Sequence, residues 1–208
     1  MKERPFTLPV SKEKRLEKQI RFLESLDRLK QVWRRNYVMD RTRRENSAEH
    51  SWHIAVMAMF LKEYAPPGTD LFRVLQMLLI HDVIEIEAGD TFCYDKTANL
   101  DKDEREKEAA DHIFGILPED QAIEFRALWD EFEDRKTPES RFANSMDRFQ
   151  VLFQNFNTKG GTWADHDIPK SRVLERESVV RTGAPGLWAA VEDILARSVD
   201  AGFLRDDT

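Results

Sequence analysis

The stretch that most constrains the fold is residues 74–86, a run that is almost entirely apolar yet carries His81, Asp82 and Glu85. Such a run is typical of a buried helix. Burying an ionised carboxylate is costly unless an ion pair, a hydrogen-bond network or a metal ion compensates for the lost water. His81 and Glu85 are four residues apart and Asp82 and Glu85 are three apart, so a helix turns all three side chains toward one edge. We therefore expect a central helix with one polar edge.

Apolar residues recur at steps of three and four along most of the chain, a spacing typical of amphipathic helices. Asp70 and Ser47 have side chains that suit N-caps. Pro118 and Pro138 suit the first turns of two later helices. The expected helices cover about residues 12–33, 47–65, 70–86, 101–117, 118–132, 138–159 and 187–195. No stretch alternates between apolar and polar residues as a strand does, so the sequence predicts an all-α fold.

At 208 residues the chain fits one domain of ordinary size. We expect the core within about residues 12–156, and the C-terminal helices, within residues 170–202, to pack against it. The first ten residues lack an apolar stretch of signal-peptide length, and no run of roughly eighteen apolar residues occurs, so we expect neither export nor a membrane partner. The single cysteine, Cys93, excludes an internal disulfide and a cysteine-cluster zinc site. These features indicate a cytoplasmic protein.

The net charge of −7 and the pI near 5.4 argue against nucleic acid as a partner, because that binding depends on neutralising many phosphates. The charge is unevenly distributed, since residues 28–44 contain seven basic side chains and one acidic side chain, Asp40. The basic members are Arg28, Lys30, Arg34, Arg35, Arg41, Arg43 and Arg44. In an acidic protein this segment suggests a small anionic ligand; a solvated charged turn would have the same composition.

Two further polar residues lie in amphipathic helical patterns, His50 near the start of the second helix and Asp147 within a later one. With His81 and Asp82 they offer two imidazoles and two carboxylates, a ligand set for one divalent cation. Mixed nitrogen and oxygen ligation suits Mn²⁺, Co²⁺, Fe²⁺, Ni²⁺ or Zn²⁺ better than Ca²⁺. The structural alternatives are an ion pair within His81-Asp82 and an ion pair between Asp147 and Arg148.

The order and spacing of these residues resemble the HD-domain metal-dependent phosphohydrolases, and more closely their 5′-deoxynucleotidase branch. The matching segments are residues 43–51 (RRENSAEHS), residues 81–85 (HDVIE), Gly89-Asp90 and Asp147. A lone His-Asp pair is weak evidence, whereas these motifs in this order are specific for the superfamily. The resemblance covers roughly residues 16–156. It implies a single HD-domain helical bundle that hydrolyses (deoxy)nucleoside 5′-monophosphates.

The resemblance also implies roles for individual residues of this chain. The implied metal ligands are His50, His81, Asp82 and Asp147. Glu85 and Asp90 correspond to the acidic residues that orient or deprotonate the attacking water. Arg35, with Arg34 as the alternative, corresponds to the arginine that grips the 5′-phosphate. Tyr37 is the nearest match to the aromatic residue that tests for a 2′-hydroxyl, which is tryptophan in the family.

Members of the superfamily with two metals supply extra histidines between the His-Asp pair and the last aspartate, where this chain has only His112. The resemblance therefore implies one metal ion per chain, and it favours a homodimer.

Three functions compete: a nucleoside 5′-monophosphate phosphatase, a hydrolase of another phosphorylated metabolite or nucleotide, and a non-catalytic helical metal-binding scaffold. A triphosphate or a cyclic dinucleotide would need more basic residues at the pocket than the single cluster in residues 28–44. A scaffold would not need the spare carboxylates of Glu85 and Asp90. The sequence therefore favours the monophosphate phosphatase.

Overall fold

The computed structural model describes residues 14–94 and 100–207, and most of these residues are helical, which confirms the all-α prediction. The α-helices are α1 (Lys14–Leu26), α2 (Ser47–Phe60), α3 (Leu71–Ile80), α4 (Glu85–Ala88), α5 (Lys102–Phe114), α6 (Glu119–Asp134), α7 (Pro138–Asn157), α8 (Gly161–Asp165), α9 (Lys170–Glu177), α10 (Val180–Gly183) and α11 (Trp188–Asp200). Short 3₁₀ helices cover Asp27–Gln31, Lys62–Tyr64, His81–Ile84 and Pro185–Leu187. None of the described helices is both long enough and apolar enough to cross a membrane.

Helix starts depend on side chains that satisfy the free N–H groups of the first turn. Asn46, and not the expected Ser47, caps α2: the Asn46 side chain accepts from the Glu49 backbone N–H, and the Glu49 carboxylate accepts from the Asn46 N–H. This capping box leaves the Ser47 hydroxyl to bond elsewhere. Asp70 caps α3 as predicted, and Pro138 lies in the first turn of α7.

A hairpin follows where the sequence predicted the end of a helix over residues 12–33. The first two residues of that expected helix lie outside the described part of the chain. After α1 ends at Leu26, a 3₁₀ turn leads into β1 (Trp33–Tyr37) and β2 (Arg44–Asn46), which pair antiparallel. The expectation of no strands was therefore wrong. The side chains of both strands are mostly polar, so they show no alternation. In the connection Arg41 has a φ of 59°, a left-handed conformation.

The apolar run from residue 74 to residue 86 changes conformation after Ile80. There α3 ends, His81–Ile84 form a 3₁₀ helix, and α4 follows. The expectation of one continuous helix was wrong in this second half. In a 3₁₀ helix residues three apart lie in line, which places Asp82 and Glu85 on the same side.

Two clusters of buried apolar side chains form the core. The larger cluster includes Ile54, Met77, Phe142, Met146 and Leu195, and the smaller one includes Ile84, Ile113, Phe114 and Trp129. Ile80 packs against both clusters. The turn that carries His81 therefore starts where the two clusters meet.

The C-terminal helices α9, α10 and α11 all pack against α7. The closest approach is at Gly183 in α10. A Cβ at this position would collide with the Arg141 carbonyl and the Ser145 hydroxyl of α7. Glycine is therefore required for this packing.

Candidate active site

Three parts of the fold bring the four expected metal ligands together. His50 lies in α2, Asp147 in α7, and His81 and Asp82 in the 3₁₀ helix between α3 and α4. One ligand atom from each of His50, His81 and Asp147 lies within 4.8 Å of the other two, and all three residues are buried. Asp82 adjoins them, with Oδ1 3.0 Å from His81 Nε2 at an angle that forms no hydrogen bond. We call these four residues the His-Asp cluster.

Both imidazoles direct their Nε2 atoms into the His-Asp cluster. His81 Nδ1 lies 2.9 Å from the Leu78 carbonyl oxygen, which can only accept, so Nδ1 carries the proton. His50 Nδ1 lies 3.1 Å from Gln150 Oε1, and His50 Nε2 lies 3.0 Å from Asp147 Oδ1. His81 Nε2 is buried without a hydrogen-bond partner among the described residues. A buried, unpaired nitrogen beside carboxylates fits a metal ligand.

An arginine holds the outer oxygen of each carboxylate in the cluster. Arg34 Nη1 donates to Asp82 Oδ2 at 2.6 Å, and Arg148 Nη1 lies 3.0 Å from Asp147 Oδ2. Burial opposes ionisation of Asp82, but His81 and Arg34 outweigh it and lower the pKa. Burial likewise opposes ionisation of Asp147, yet Arg148 helps to lower its pKa well below the ordinary value. The ion pair between Asp147 and Arg148 that the sequence allows is present, and it leaves Oδ1 facing His50.

Glu45 is a buried carboxylate for which the sequence analysis assigned no role. Its Oε1 accepts hydrogen bonds from Gln150 Nε2 at 2.9 Å and Gln154 Nε2 at 2.7 Å, and its Oε2 lies 3.5 Å from His50 Nδ1. Burial opposes a positive charge on His50, but hydrogen bonds to Asp147 and Glu45 raise its pKa to about 9. The surroundings of this imidazole therefore favour positive charge, which a proton or a metal ion can supply.

Glu85 and Asp90, the expected catalytic carboxylates, line a cavity of about 80 Å³ beside the His-Asp cluster. Ser47 Oγ donates to Glu85 Oε2 at 2.7 Å. Burial and the nearby Asp82 raise the pKa of Glu85 well above its ordinary value, and burial also raises the pKa of Asp90. Neither carboxyl group forms an ion pair within the described part of the chain, unlike the two carboxylates of the cluster. The cavity thus holds two acidic groups in addition to the residues of the His-Asp cluster that line it.

The three expected substrate-binding residues take different positions. Arg34 reaches the His-Asp cluster, and Arg35 lines an adjoining cavity of about 50 Å³. The other walls of that cavity include Asn36, Phe92 and Tyr94. Tyr37 is not brought to either cavity, because its hydroxyl donates to Asp165 Oδ2 at 3.0 Å and the Arg44 guanidinium lies 4.0 Å from its ring centre.

Comparison with known proteins identifies the family. A profile described as "HD domain" matches residues 26–188, more than half of the chain. The chain therefore belongs to the HD domain family, as its motifs predicted. The 5′-deoxynucleotidase HDDC2 of Homo sapiens is 32% identical over 136 residues, which are 65% of this chain and 65% of that protein. The 5′-deoxynucleotidase hdd1 of Schizosaccharomyces pombe is 28% identical over 140 residues, 65% of this chain and 69% of that protein.

Solved structures show the same fold. A predicted metal-dependent phosphohydrolase from Magnetospirillum magnetotacticum is 46% identical, with a TM-score of 0.88 over 93% of this chain and 100% of that one. An HD-domain phosphohydrolase from Listeria innocua shares the fold at 18% identity, with a TM-score of 0.61 over 88% of this chain and 92% of that one. The HD-domain fold predicted from the motifs is thus confirmed.

Proposed function

We propose that this protein is a metal-dependent phosphohydrolase that converts nucleoside or deoxynucleoside 5′-monophosphates to nucleoside and phosphate. The observation that carries the proposal is the His-Asp cluster, in which two imidazoles and two ionised carboxylates converge. Beside it lie Glu85 and Asp90, two acids that form no ion pair with any described residue. Two names support it: the human and fission yeast relatives are 5′-deoxynucleotidases, and the Magnetospirillum neighbour is a predicted metal-dependent phosphohydrolase.

The cofactor in this proposal is one divalent ion per chain, Mn²⁺, Co²⁺, Fe²⁺, Ni²⁺ or Zn²⁺, held by His50, His81, Asp82 and Asp147. The mixed nitrogen and oxygen donor set and the unpaired His81 Nε2 support such a site. When bound, such an ion polarises a phosphoryl oxygen and makes a water molecule more acidic. The protein contributes fixed ligand directions, because each carboxylate is held by an arginine.

Glu85 is the proposed general base, and Asp90 the residue that positions the attacking water. Phosphate monoesters hydrolyse very slowly without an activated nucleophile. The Ser47 hydroxyl fixes Glu85 Oε2, which leaves Oε1 to accept a proton from water in the cavity. Proton transfer to a carboxylate held in this way contributes about 10²–10⁴-fold to a rate.

Arg34 and Arg35 are the proposed contacts of the 5′-phosphate, because one lies at the His-Asp cluster and the other lines the adjoining cavity. The nucleoside would then lie beside Phe92 and Tyr94, at the opening of the adjoining cavity that these residues line. The role of Tyr37 as a contact of the sugar stays a prediction.

The proposed substrates are free nucleotides in the cytoplasm, with neither nucleic acid nor a membrane as a partner. A net charge of −7 supports this choice, because it disfavours polyanionic partners. The single cysteine is compatible with a reducing compartment.

Phosphate release from a panel of nucleotides tests the proposal. Full-length protein, loaded with Mn²⁺ or Co²⁺ or treated with a chelator, is assayed on 5′-monophosphates of ribo- and deoxyribonucleosides. The 3′-monophosphates are the controls. We expect release from the 5′-monophosphates that depends on the added ion. A bound ion without release from any nucleotide would favour a non-catalytic scaffold instead.

Two variants should distinguish metal binding from turnover. We expect elemental analysis of the parent protein to give about one ion per chain. His81→Ala should lose both the ion and the activity, because a proposed ligand nitrogen is removed. Glu85→Gln should keep the ion and lose about 10²–10⁴-fold in kcat, since the base can no longer accept a proton. The control is His112→Ala, an exposed histidine beside Glu87, which should change neither. Two tightly bound ions per chain, or a near-normal kcat for Glu85→Gln, would contradict these roles.

The two arginines should have different kinetic effects. Arg35→Ala should raise KM by roughly tenfold or more, because a hydrogen bond to a charged group is lost. Arg34→Lys should restore only part of the activity of Arg34→Ala, because an ammonium cannot hold Asp82 and phosphate with a planar fork. Arg43→Ala is the matched control, since Arg43 is exposed and bonds Glu49. Equal effects from all these arginine variants would indicate a diffuse electrostatic field.

A homodimer is the proposed assembly. Large apolar side chains are exposed on α2 and α3, which pack together: Trp52 is 64% exposed, Phe60 77% and Phe72 70%. Exposed apolar side chains grouped in this way mark interaction surfaces. Light scattering should therefore give twice the chain mass of 24.4 kDa, and Phe60→Glu should give the single mass. Ile123→Glu, at an exposed apolar position on α6, is the control. A monomeric parent protein would contradict the dimer.

A further inference from the structure

A third cavity, of about 340 Å³, opens beside the cavity of the His-Asp cluster. Its charged lining is strongly asymmetric, with one acid, Glu175, among these basic residues: Lys102, Arg135, Arg148, Arg172 and Arg176. Four of the five also line the cavity of the His-Asp cluster, Arg172 being the exception. The two cavities therefore share a basic wall. We call the larger one the basic cavity.

Within the described residues, most of the positive charge in the basic cavity has no carboxylate partner. Lys102 pairs with Glu106, and Arg148 pairs with Asp147. Within the described part of the chain, no carboxylate oxygen lies within 4.0 Å of the remaining arginines. These remaining arginines are Arg135, Arg172 and Arg176. Three guanidinium groups at this cavity thus have no carboxylate partner among the described residues, although Arg172 lies over the Tyr94 ring, with its Cζ 5.5 Å from the ring centre.

The helix α9 places like charges next to each other at this cavity. Arg172 and Arg176 are four residues apart, a spacing at which like charges on a helix repel. Burial and Arg148 lower the pKa of Arg176. Burial raises the pKa of the adjacent Glu177 to about 8, so this carboxyl group offers little compensation. A bound anion would relieve the repulsion.

Arg135 provides an independent observation. It follows the last residue of α6 with a φ of 53°, a left-handed conformation at the position where helices most often carry glycine. The conformation is unfavourable for a residue with a Cβ, and such outliers cluster at ligand sites. Here the strained residue extends its side chain into both cavities.

From this geometry we propose that the basic cavity binds a phosphate-type oxyanion, held by Arg135, Arg172 and Arg176 next to the phosphoryl group at the His-Asp cluster. The inference rests on the proposed function in one respect, because that function supplies the first phosphoryl group. Two sources share the chemistry of the second anion: another phosphate group on the same nucleotide, or free inorganic phosphate. Planar guanidinium forks suit either one.

Calorimetry with inorganic phosphate tests the site directly. The titration uses the full-length chain as His81→Ala, in which a ligand of the His-Asp cluster is removed and the basic cavity is intact. We expect phosphate binding to persist in this background. Adding Arg172→Gln and Arg176→Gln should weaken it by roughly tenfold or more. Arg197→Gln, an exposed arginine on α11 beside Asp193, is the matched control. Unchanged binding after the double substitution would overturn the proposal.

Arg135→Gly separates binding from folding. Glycine relieves the left-handed backbone, so we expect thermal stability equal to or above that of the parent protein. Phosphate affinity should nevertheless fall several-fold, because one guanidinium is lost. Phosphate affinity equal to that of the parent, in a folded Arg135→Gly protein, would remove this arginine from the site and overturn the proposal as stated.

The source of the anion is decided with the metal-loaded protein. If the substrate supplies it, a deoxynucleoside 3′,5′-bisphosphate should have a KM roughly tenfold below that of the 5′-monophosphate, and Arg172→Gln should abolish this preference. If free phosphate is the ligand, it should bind while the monophosphate is bound, and the bisphosphate should show no advantage. Either pattern supports the site. Absence of nucleotide hydrolysis with intact phosphate binding would instead refute the proposed function alone.

Discussion

Compensation of buried negative charge at the His-Asp cluster is the interaction on which the rest of the structure depends. Asp82 and Asp147 come from different helical segments, and each lies between an imidazole and a guanidinium. Removing one partner from such a buried arrangement leaves an unbalanced charge, at a cost of about 3–5 kcal/mol. The segments that carry these groups must therefore assemble together, and the hairpin is part of that assembly because β1 delivers Arg34.

The same charge pattern relates the two cavities. At the His-Asp cluster, buried carboxylates and imidazole nitrogens converge, a set of groups that suits a cation. The basic cavity is lined mainly by arginine, which suits an anion. Arg148 belongs to both, since it pairs with Asp147 and lines the basic cavity. A substrate with two phosphate groups would therefore contact two kinds of positive charge within one cleft. One phosphate group would lie at a bound cation, and the other would lie at arginine side chains.

Most helices could be predicted, as could the convergence of His50, His81, Asp82 and Asp147, because periodicity and the cost of buried charge act within short stretches of sequence. The hairpin could not, since polar strands lack alternation. The role of Glu45 depends on a partner 105 residues away, Gln150, which no local pattern reveals. Gln150 and Gln154 on the buried side of α7 were the available signal, because buried amides need partners. The basic cavity was missed for the same reason, because its basic residues come from distant parts of the chain: α5, the end of α6, α7 and α9.

The close contact at Gly183 has a mechanical consequence for α7. Because the backbone of α10 lies against the Arg141 carbonyl, with no room for even a Cβ between them, a roll of α7 toward α10 would produce a collision. A roll of about 20° would move a side-chain tip, at a radius of about 5–6 Å, by about 2 Å. Functional sites tolerate displacements of only about 0.5 Å. The C-terminal helix α10, which contributes no residue to the His-Asp cluster, thus fixes the direction in which Asp147 points.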